Sequence, residues 1–178
     1  MCAMDKLYEN SETSRPSATS SRLEAETGCC PRFDPKPWEE KEIKWKGKLF
    51  LKERVFCPFH IPIGIDRMMV RDMELIQKAG ALNDVAMMLF DYRSLFWADA
   101  YIAVSKEVPG KEMARLSGTY LSKVFEGGFK DTGKWMKEME AFVKGKGKAT
   151  KRLYHFYTTC PACAKAYGKN YVVMLAEV

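Results

Sequence analysis

Histidine is almost missing from this chain: two of 178 residues, His60 and His155. With no partnered nucleophile in sight, a Ser/His/Asp hydrolase is unsupported, and each histidine is read first as a structural residue. Long apolar runs are also lacking. The longest, residues 85–90 and 171–176, are far too short to span a bilayer. No basic start followed by an apolar core opens the sequence, so no secretory signal is expected. Six cysteines without such a signal point to a reducing compartment. The expectation is a soluble, cytoplasmic protein with no membrane partner.

Charge is moderate. The net value is +6, and residues 1–28 hold three basic and five acidic side chains, which leaves +8 for the remainder. Much of it lies in one run, K-G-K-G-K-A-T-K-R over residues 144–152. Such a run reads first as a solvated loop. No RNA-binding or helix-turn-helix signature accompanies it, so no nucleic-acid partner is expected.

What is present suits a folded domain. The composition is 47% hydrophobic and 12% aromatic with 11 Met, enough for a real core filled partly by adaptable thioether side chains. Residues 1–28 are rich in Ser, Thr and Glu and are expected to be a disordered tail. Cys29-Cys30-Pro-Arg-Phe-Asp-Pro-Lys-Pro-Trp38 follows. Its three prolines predict an extended lead-in whose Phe33 and Trp38 dock on the core.

Alternation predicts a strand over 49–59, ended by Pro58 and Pro62. An apolar stripe of Ile65, Met68, Met69, Met73, Ile76 and Ala79 predicts a helix, with Asp66 in its first turn and Gly80 after its end. Strands over 85–92 and 96–105 complete a strand–helix–strand–strand unit. The second half repeats the order. A strand over 120–125 precedes a helix over 133–144 with Asp131 or Thr132 as N-cap and Trp135, Met139, Phe142 and Val143 on its stripe. Strands over 153–159 and 170–178 follow. A shift of 69 positions lays Val55-Phe56 on Val124-Phe125 and Gly64 on Gly133. The expected fold is α+β: tandem βαββ halves, about 40–105 and 106–178, with an antiparallel sheet, two helices on one side, and a groove between the halves.

Chemistry-bearing residues gather around 97–142. Asp99 shares a strand face with Trp97 and Tyr101. It reads either as an exposed acid on an edge strand or as a carboxylate in an aromatic-walled groove, where it attracts a cationic ligand or moves a proton. Glu126 ends the next strand before Gly127-Gly128, where the backbone can turn and a ligand approach closely. It serves either function or simple pairing with Lys123 or Lys130. Among the strand aromatics Tyr120, Tyr154, Phe156, Tyr157 and Tyr171, most are core, and one or two can line a groove with a hydroxyl toward a ligand. Cys160-Pro-Ala-Cys163 has the spacing for two thiolates on one zinc, with Cys29-Cys30 as further donors. Redox chemistry and inert thiols remain alternatives, and no cofactor is the first expectation.

The element order, together with V-F-E-G-G-F-K-D (residues 124–131) entering the second helix, resembles the GyrI-like small-molecule-binding family. The lead-in C-C-P-R-F-D-P-K-P-W and the ending T-T-C-P-A-C-A-K-A-Y-G-K-N-Y-V-V are similar to stand-alone bacterial members labelled hydrolase. The resemblance covers about residues 29–178. It implies an SHS2-type pseudo-two-fold fold and a groove for flat, apolar, often cationic aromatic compounds with an acid inside it. It also implies hydrolysis of cyclopropane-bearing alkylating compounds by some members. The family's buried Glu on the last strand has no counterpart in Tyr171-Val-Val-Met-Leu-Ala, and Glu177 is almost terminal. The acidic role therefore passes to Glu126 or Asp99, with Trp97, Tyr101, Tyr120, Tyr154, Phe156 and Tyr171 as ligand-binding groups. Three readings stay open: a binding module that sequesters drug-like molecules, an enzyme that adds water to a strained electrophile in the same groove, and a zinc-stabilised interaction domain. The protein is expected to be a monomer or a homodimer with a small-molecule ligand.

Overall fold

A computed structural model describes residues 26–27, 30–83, 85 and 87–178. The expected tail over 1–28 lies, apart from Glu26 and Thr27, outside the described residues, as do Cys29 and the side chain of His60. The elements run β1 (Lys41–Phe56), α1 (Ile65–Lys78), β2 (Met88–Tyr92), β3 (Trp97–Ala103), β4 (Met113–Glu126), α2 (Thr132–Gly145), β5 (Arg152–Tyr157), α3 (Pro161–Tyr167) and β6 (Tyr171–Glu177). The order is strand–helix–strand–strand twice, with the short α3 set between β5 and β6.

All pairings are antiparallel, and the sheet closes on itself in the order β1-β3-β2-β5-β6-β4. Closure is the main departure from the expected sheet with a groove between halves. It rests on two strands longer than their apolar alternation suggests. β1 begins at Lys41 rather than Leu49, and β4 at Met113 rather than Tyr120. The polar early part of β1 pairs with β4, from Lys41↔Ser122 to Trp45↔Gly118, and its later part pairs with β3, from Phe50↔Ala103 to Phe56↔Trp97. A register shift between Trp45 and Lys48 bends the strand between its two partners, as a bulge does at a barrel corner. The Gly47 N–H at that bend donates to Ser117 Oγ at 2.8 Å. No sheet edge is left for another chain to pair with among the described strands.

The interior is packed with rings. Trp45, Phe50, Leu89, Tyr101, Tyr120, Tyr154, Phe156, Val173 and Leu175 form one buried cluster. Ring centroids lie 4.4 Å apart for Trp45–Tyr120, 6.2 Å for Phe50–Tyr101 and 5.8 Å for Tyr101–Tyr154. The outer faces are covered by the helices. α1 lays Met69, Met73 and Ile76 on Leu51, Ile102 and Val104. α2 lays Trp135, Met139 and Val143 on Leu121, Phe125, Val172 and Met174. Both stripes are those the helical period predicts.

Residues 30–40 form the lead-in across one end of the barrel, irregular over 31–35 but turned over 36–40 rather than extended, the Trp38 and Glu39 N–H groups both donating to the Pro35 carbonyl at 2.9 and 3.0 Å. Phe33 packs on Phe156 and Tyr171, and Trp38 on Phe156. Ser122 Oγ donates to the Trp38 carbonyl at 2.6 Å and so ties the segment to β4.

The turn after β4 depends on one glycine. Gly127 has φ +147°, and a Cβ there would stand 2.9 Å from both Asp131 Oδ2 and Trp135 Cζ2. Its N–H donates to the Asn170 carbonyl at 3.0 Å, and its own carbonyl accepts from Asn170 Nδ2 at 2.6 Å. The side chains that approach this glycine are Asp131 and the buried Trp135 of α2. Gly127→Ala is expected to destabilise the protein by about 1–3 kcal/mol through strain and overpacking, read as a lower urea midpoint with unchanged slope.

Candidate functional site

Side chains alternate along each strand, so residues two apart share a face. On β3 the interior residues Tyr101 and Ala103 place Asp99 and then Trp97 on the same inward line. By the same count Lys52, Arg54 and Phe56 continue from Phe50 on β1, and Asp91 continues from Leu89 on β2. Arg152 precedes Tyr154 on β5, and Glu177 follows Leu175 on β6. The register brings these positions to one end: Asp91↔Asp99, Arg54↔Asp99, Arg152↔Glu177 and Tyr120↔Glu177. One mouth of the barrel is thus charged, with a layer of phenols beneath it and the lead-in closing the opposite end.

The lip is aromatic. Trp97 is 39% exposed and Phe56 43%, with their ring centroids 5.2 Å apart. The Arg54 guanidinium lies 4.9 Å from the centre of the Trp97 ring. Outside them Phe59, Leu95 and Phe96 are also exposed.

One step in stand the carboxylates. Asp91 is buried and accepts a hydrogen bond from Arg93 Nη1 at 2.9 Å, which raises the pKa of Arg93. Asp99 has Lys52 Nζ at 3.7 Å and Arg93 Nε at 4.0 Å, with its side chain 14% exposed. Those are ion-pair separations rather than hydrogen bonds. Asp91 is therefore held by its cation, while Asp99 keeps lone pairs available to a substrate or water.

Tyr101, Tyr120 and Tyr154 form the floor. Burial pushes the Tyr101 hydroxyl up to about 12, helped by the charges of Asp99, Tyr154 and Asp91. Burial likewise raises Tyr120, with Glu177 adding to it. Burial raises Tyr154 too, against an opposing pull from the Arg152 guanidinium. All three phenols therefore stay protonated across the working pH range and act as neutral hydrogen-bond donors. The Tyr154 hydroxyl is buried beside Arg152, which acts on it through hydrogen bonding and charge, although no hydrogen bond of good geometry forms to it among the described residues. A buried hydroxyl proton with no acceptor is costly unless something binds it.

Of the residues singled out from the sequence, Trp97, Asp99, Tyr101, Tyr120 and Tyr154 are brought together here. Phe156 lies deeper, under Phe33 and Trp38. Tyr171 and Glu126 face each other in register at the opposite end. Glu126 is exposed there, 3.9 Å from Lys169 Nζ rather than beside Lys123 or Lys130. The sequence offers no sign of Asp91, sets Glu177 aside as almost terminal and places Arg152 in a solvated basic run, whereas Arg152 is the first residue of β5. The available signal was spacing: each stands two residues from an inward aromatic or aliphatic residue of its own strand. His155 is buried on the outer face of β5, its ring 5.1 Å from that of Tyr92.

Among solved structures the chain is similar to an uncharacterised conserved protein from Listeria innocua, at 12% identity and a TM-score of 0.55. Two hydrolases from Listeria innocua are also similar, at 13% and 12% identity, each with a TM-score of 0.54. Each similarity covers 78% of this chain and 91% of the other. At such identity the likeness concerns the fold. No curated protein matches the chain. No helix of the described residues is long and apolar enough to cross a membrane. A family model described as bacterial hydrolase matches residues 20–178, nearly the whole length and all of the barrel, and the chain belongs to that bacterial hydrolase family.

Proposed function

We propose that this protein is a hydrolase for flat, apolar small molecules, cationic aromatic ones included, and that it works at the charged mouth of the barrel. The observation that carries the reading is the line Trp97–Asp99–Tyr101 on one face of β3, ending against the buried Tyr154 hydroxyl. The lip rings of Trp97 and Phe56 stack on the substrate, and each cation–π contact contributes about 0.5–2 kcal/mol for a cationic one. Asp99 takes the proton of an attacking water, a general-base role. The Tyr101 phenol, next inward from Asp99 on the same strand, donates a hydrogen bond to the oxygen on which negative charge develops, with the Tyr154 ring packed behind it.

For a cyclopropane-bearing electrophile the water oxygen bonds to a ring carbon and one carbon–carbon bond of the ring breaks. Its electron pair passes to the conjugated acceptor, which is then protonated. The order strand–helix–strand–strand, twice over, agrees with a GyrI-like, SHS2-type relationship between the halves, and detoxification is the role that fits such a substrate. A second reading, a non-catalytic module that sequesters the same compounds, is favoured by the ring-filled interior, since a ligand held only by the exposed Trp97 and Phe56 rings meets no phenol.

Titration with a rhodamine-type cationic dye, followed by fluorescence, tests the mouth. Saturable binding is expected, weakened about 5–30-fold in Asp99→Asn, in line with a lost charge contact of about 1–2 kcal/mol. A dye that does not bind saturably to the wild type removes both readings. An equal loss in Glu126→Gln would move the site to the opposite end.

A further inference from the structure

The lead-in end of the barrel carries a second group of reactive side chains, unrelated to the mouth. We propose that Cys30, Cys160 and Cys163 bind one zinc ion, which clasps the lead-in segment to the barrel. The three sulfurs lie within 4.8 Å of one another, although Cys30 is 130 residues from Cys160 in sequence. Neighbouring corners of a zinc–thiolate tetrahedron with bonds of about 2.3 Å stand about 3.8 Å apart. The cluster therefore reaches ligand geometry by drawing in about 1 Å or less. Three sulfurs supply three corners, and the fourth is open to solvent.

The surroundings suit thiolate ligands. The Cys160 N–H donates toward Cys30 Sγ at 3.4 Å, and the Cys163 N–H toward Cys160 Sγ at 3.5 Å. Thr27 Oγ1 lies 3.1 Å from Cys163 Sγ, placed to donate to it once that sulfur is a thiolate. Such outer donors orient metal ligands and spread their charge. Cys163 is buried, while Cys30 and Cys160 are half-buried, so an ion can enter from solvent. Three thiolates this close repel one another, and a divalent cation turns that repulsion into attraction.

The position explains what the ion would do. Cys160 and Cys163 sit at the start of α3, between β5 and β6, and Cys30 opens the lead-in. The Tyr167 hydroxyl already donates to the Cys30 carbonyl, and Arg32 lies 4.6 Å over the Tyr167 ring. From this anchor the segment lays Phe33 and Trp38 over Phe156. An ion at the sulfurs ties that cover to the sheet it closes.

The test uses the full-length protein under reducing conditions. Purified without added metal, it should carry about one equivalent of zinc, as expected for a three-thiolate site. After stripping, cobalt(II) should give a thiolate-to-metal charge-transfer absorption. Cys30→Ser, Cys160→Ser and Cys163→Ser should each lose zinc and absorption, and Cys57→Ala, buried beside Val55 and Phe90, should keep both. Chelation should lower the thermal midpoint by several degrees and speed proteolytic cleavage within residues 30–40. In the wild type, zinc should also slow alkylation of Cys30, Cys160 and Cys163, which needs no variant to fold. A folded wild type that shows no cobalt–thiolate absorption, or alkylation rates indifferent to zinc, overturns the site. A thermal midpoint and cleavage rate unchanged by chelation overturn the clasp.

Discussion

Asp99→Asn lowers turnover of a hydrolysable substrate by about 10²–10⁴-fold, the range for loss of a positioned general base, or about 2.7–5.4 kcal/mol of barrier. The amide keeps the shape and one acceptor oxygen but takes no proton from water. Stability should change by less than about 1 kcal/mol, because the cations beside Asp99 stand at 3.7 and 4.0 Å and Lys52 also bonds Glu112 at 2.9 Å. Asp91→Asn is expected to act differently. Arg93 Nη1 loses the charge of its 2.9 Å acceptor and is drawn toward Asp99, which its Nε already faces at 4.0 Å, so the variant perturbs the position of Asp99 rather than the proton transfer itself. The size of the loss separates the two, with kcat falling far less in Asp91→Asn than in Asp99→Asn. Undiminished turnover in Asp99→Asn would place the base elsewhere.

Lys111→Met is expected to be the most damaging single charge removal outside the site, at about 2–4 kcal/mol. Asp72 lies on α1 with 0% exposure, a position that an ionised carboxylate tolerates only with partners. Lys111 Nζ meets Asp72 Oδ1 at 2.7 Å and Glu53 Oε1 at 2.6 Å, and Arg71 Nε meets Asp72 at 2.9 Å. Breaking a buried pair by deleting one partner costs about 3–5 kcal/mol, and the remaining Arg71 reduces that here. Arg71 is half exposed, so Arg71→Met should cost about 1 kcal/mol or less.

The pH dependence follows from Lys111. Burial pushes its ammonium down, but hydrogen bonds and charge from Asp72 and Glu53 outweigh that, and its pKa lies above the ordinary lysine value. A group raised on folding stabilises fully below its unfolded pKa and loses that contribution as pH rises through the folded one. The gap between wild type and Lys111→Met should therefore be flat from neutral pH to about 10 and shrink above it. Urea midpoints measured across that range check it. A gap that opens with alkalinity would contradict the pairing.

Much of the architecture was legible from period alone. The stripes Met69-Met73-Ile76 and Trp135-Met139-Val143 recur every three or four residues, and both bury the faces they predict. The prolines of the lead-in, with Phe33 and Trp38 between and after them, also announced a docked, non-helical segment. What escaped was the first half of each long strand. K-E-I-K-W-K-G-K alternates Ile43 and Trp45 with charges, and in residues 113–118 Arg115, Ser117 and Gly118 interrupt Met113, Ala114 and Leu116. Such stretches look like loops when judged by apolar content, yet they hold the seam between β1 and β4 that closes the barrel.

The candidate site divides the same way. Trp97, Asp99 and Tyr101 are local, two residues apart on one strand, so the two-residue period of a strand puts them on one face. Asp91, Arg152 and Glu177 join them only through cross-strand register, a relation between residues as far apart as Tyr120 and Glu177, 57 positions. The cysteines behave likewise, since Cys160 and Cys163 announce themselves by spacing, while the adjacent pair Cys29-Cys30 is only a source of further donors until the fold brings Cys30 to them. The sequence by itself determined which residues face the same way along each element, because that depends on backbone geometry within a few residues. Only the tertiary structure decided that the sheet closes, which end is charged and which thiols meet, because those follow from strand register across the whole chain.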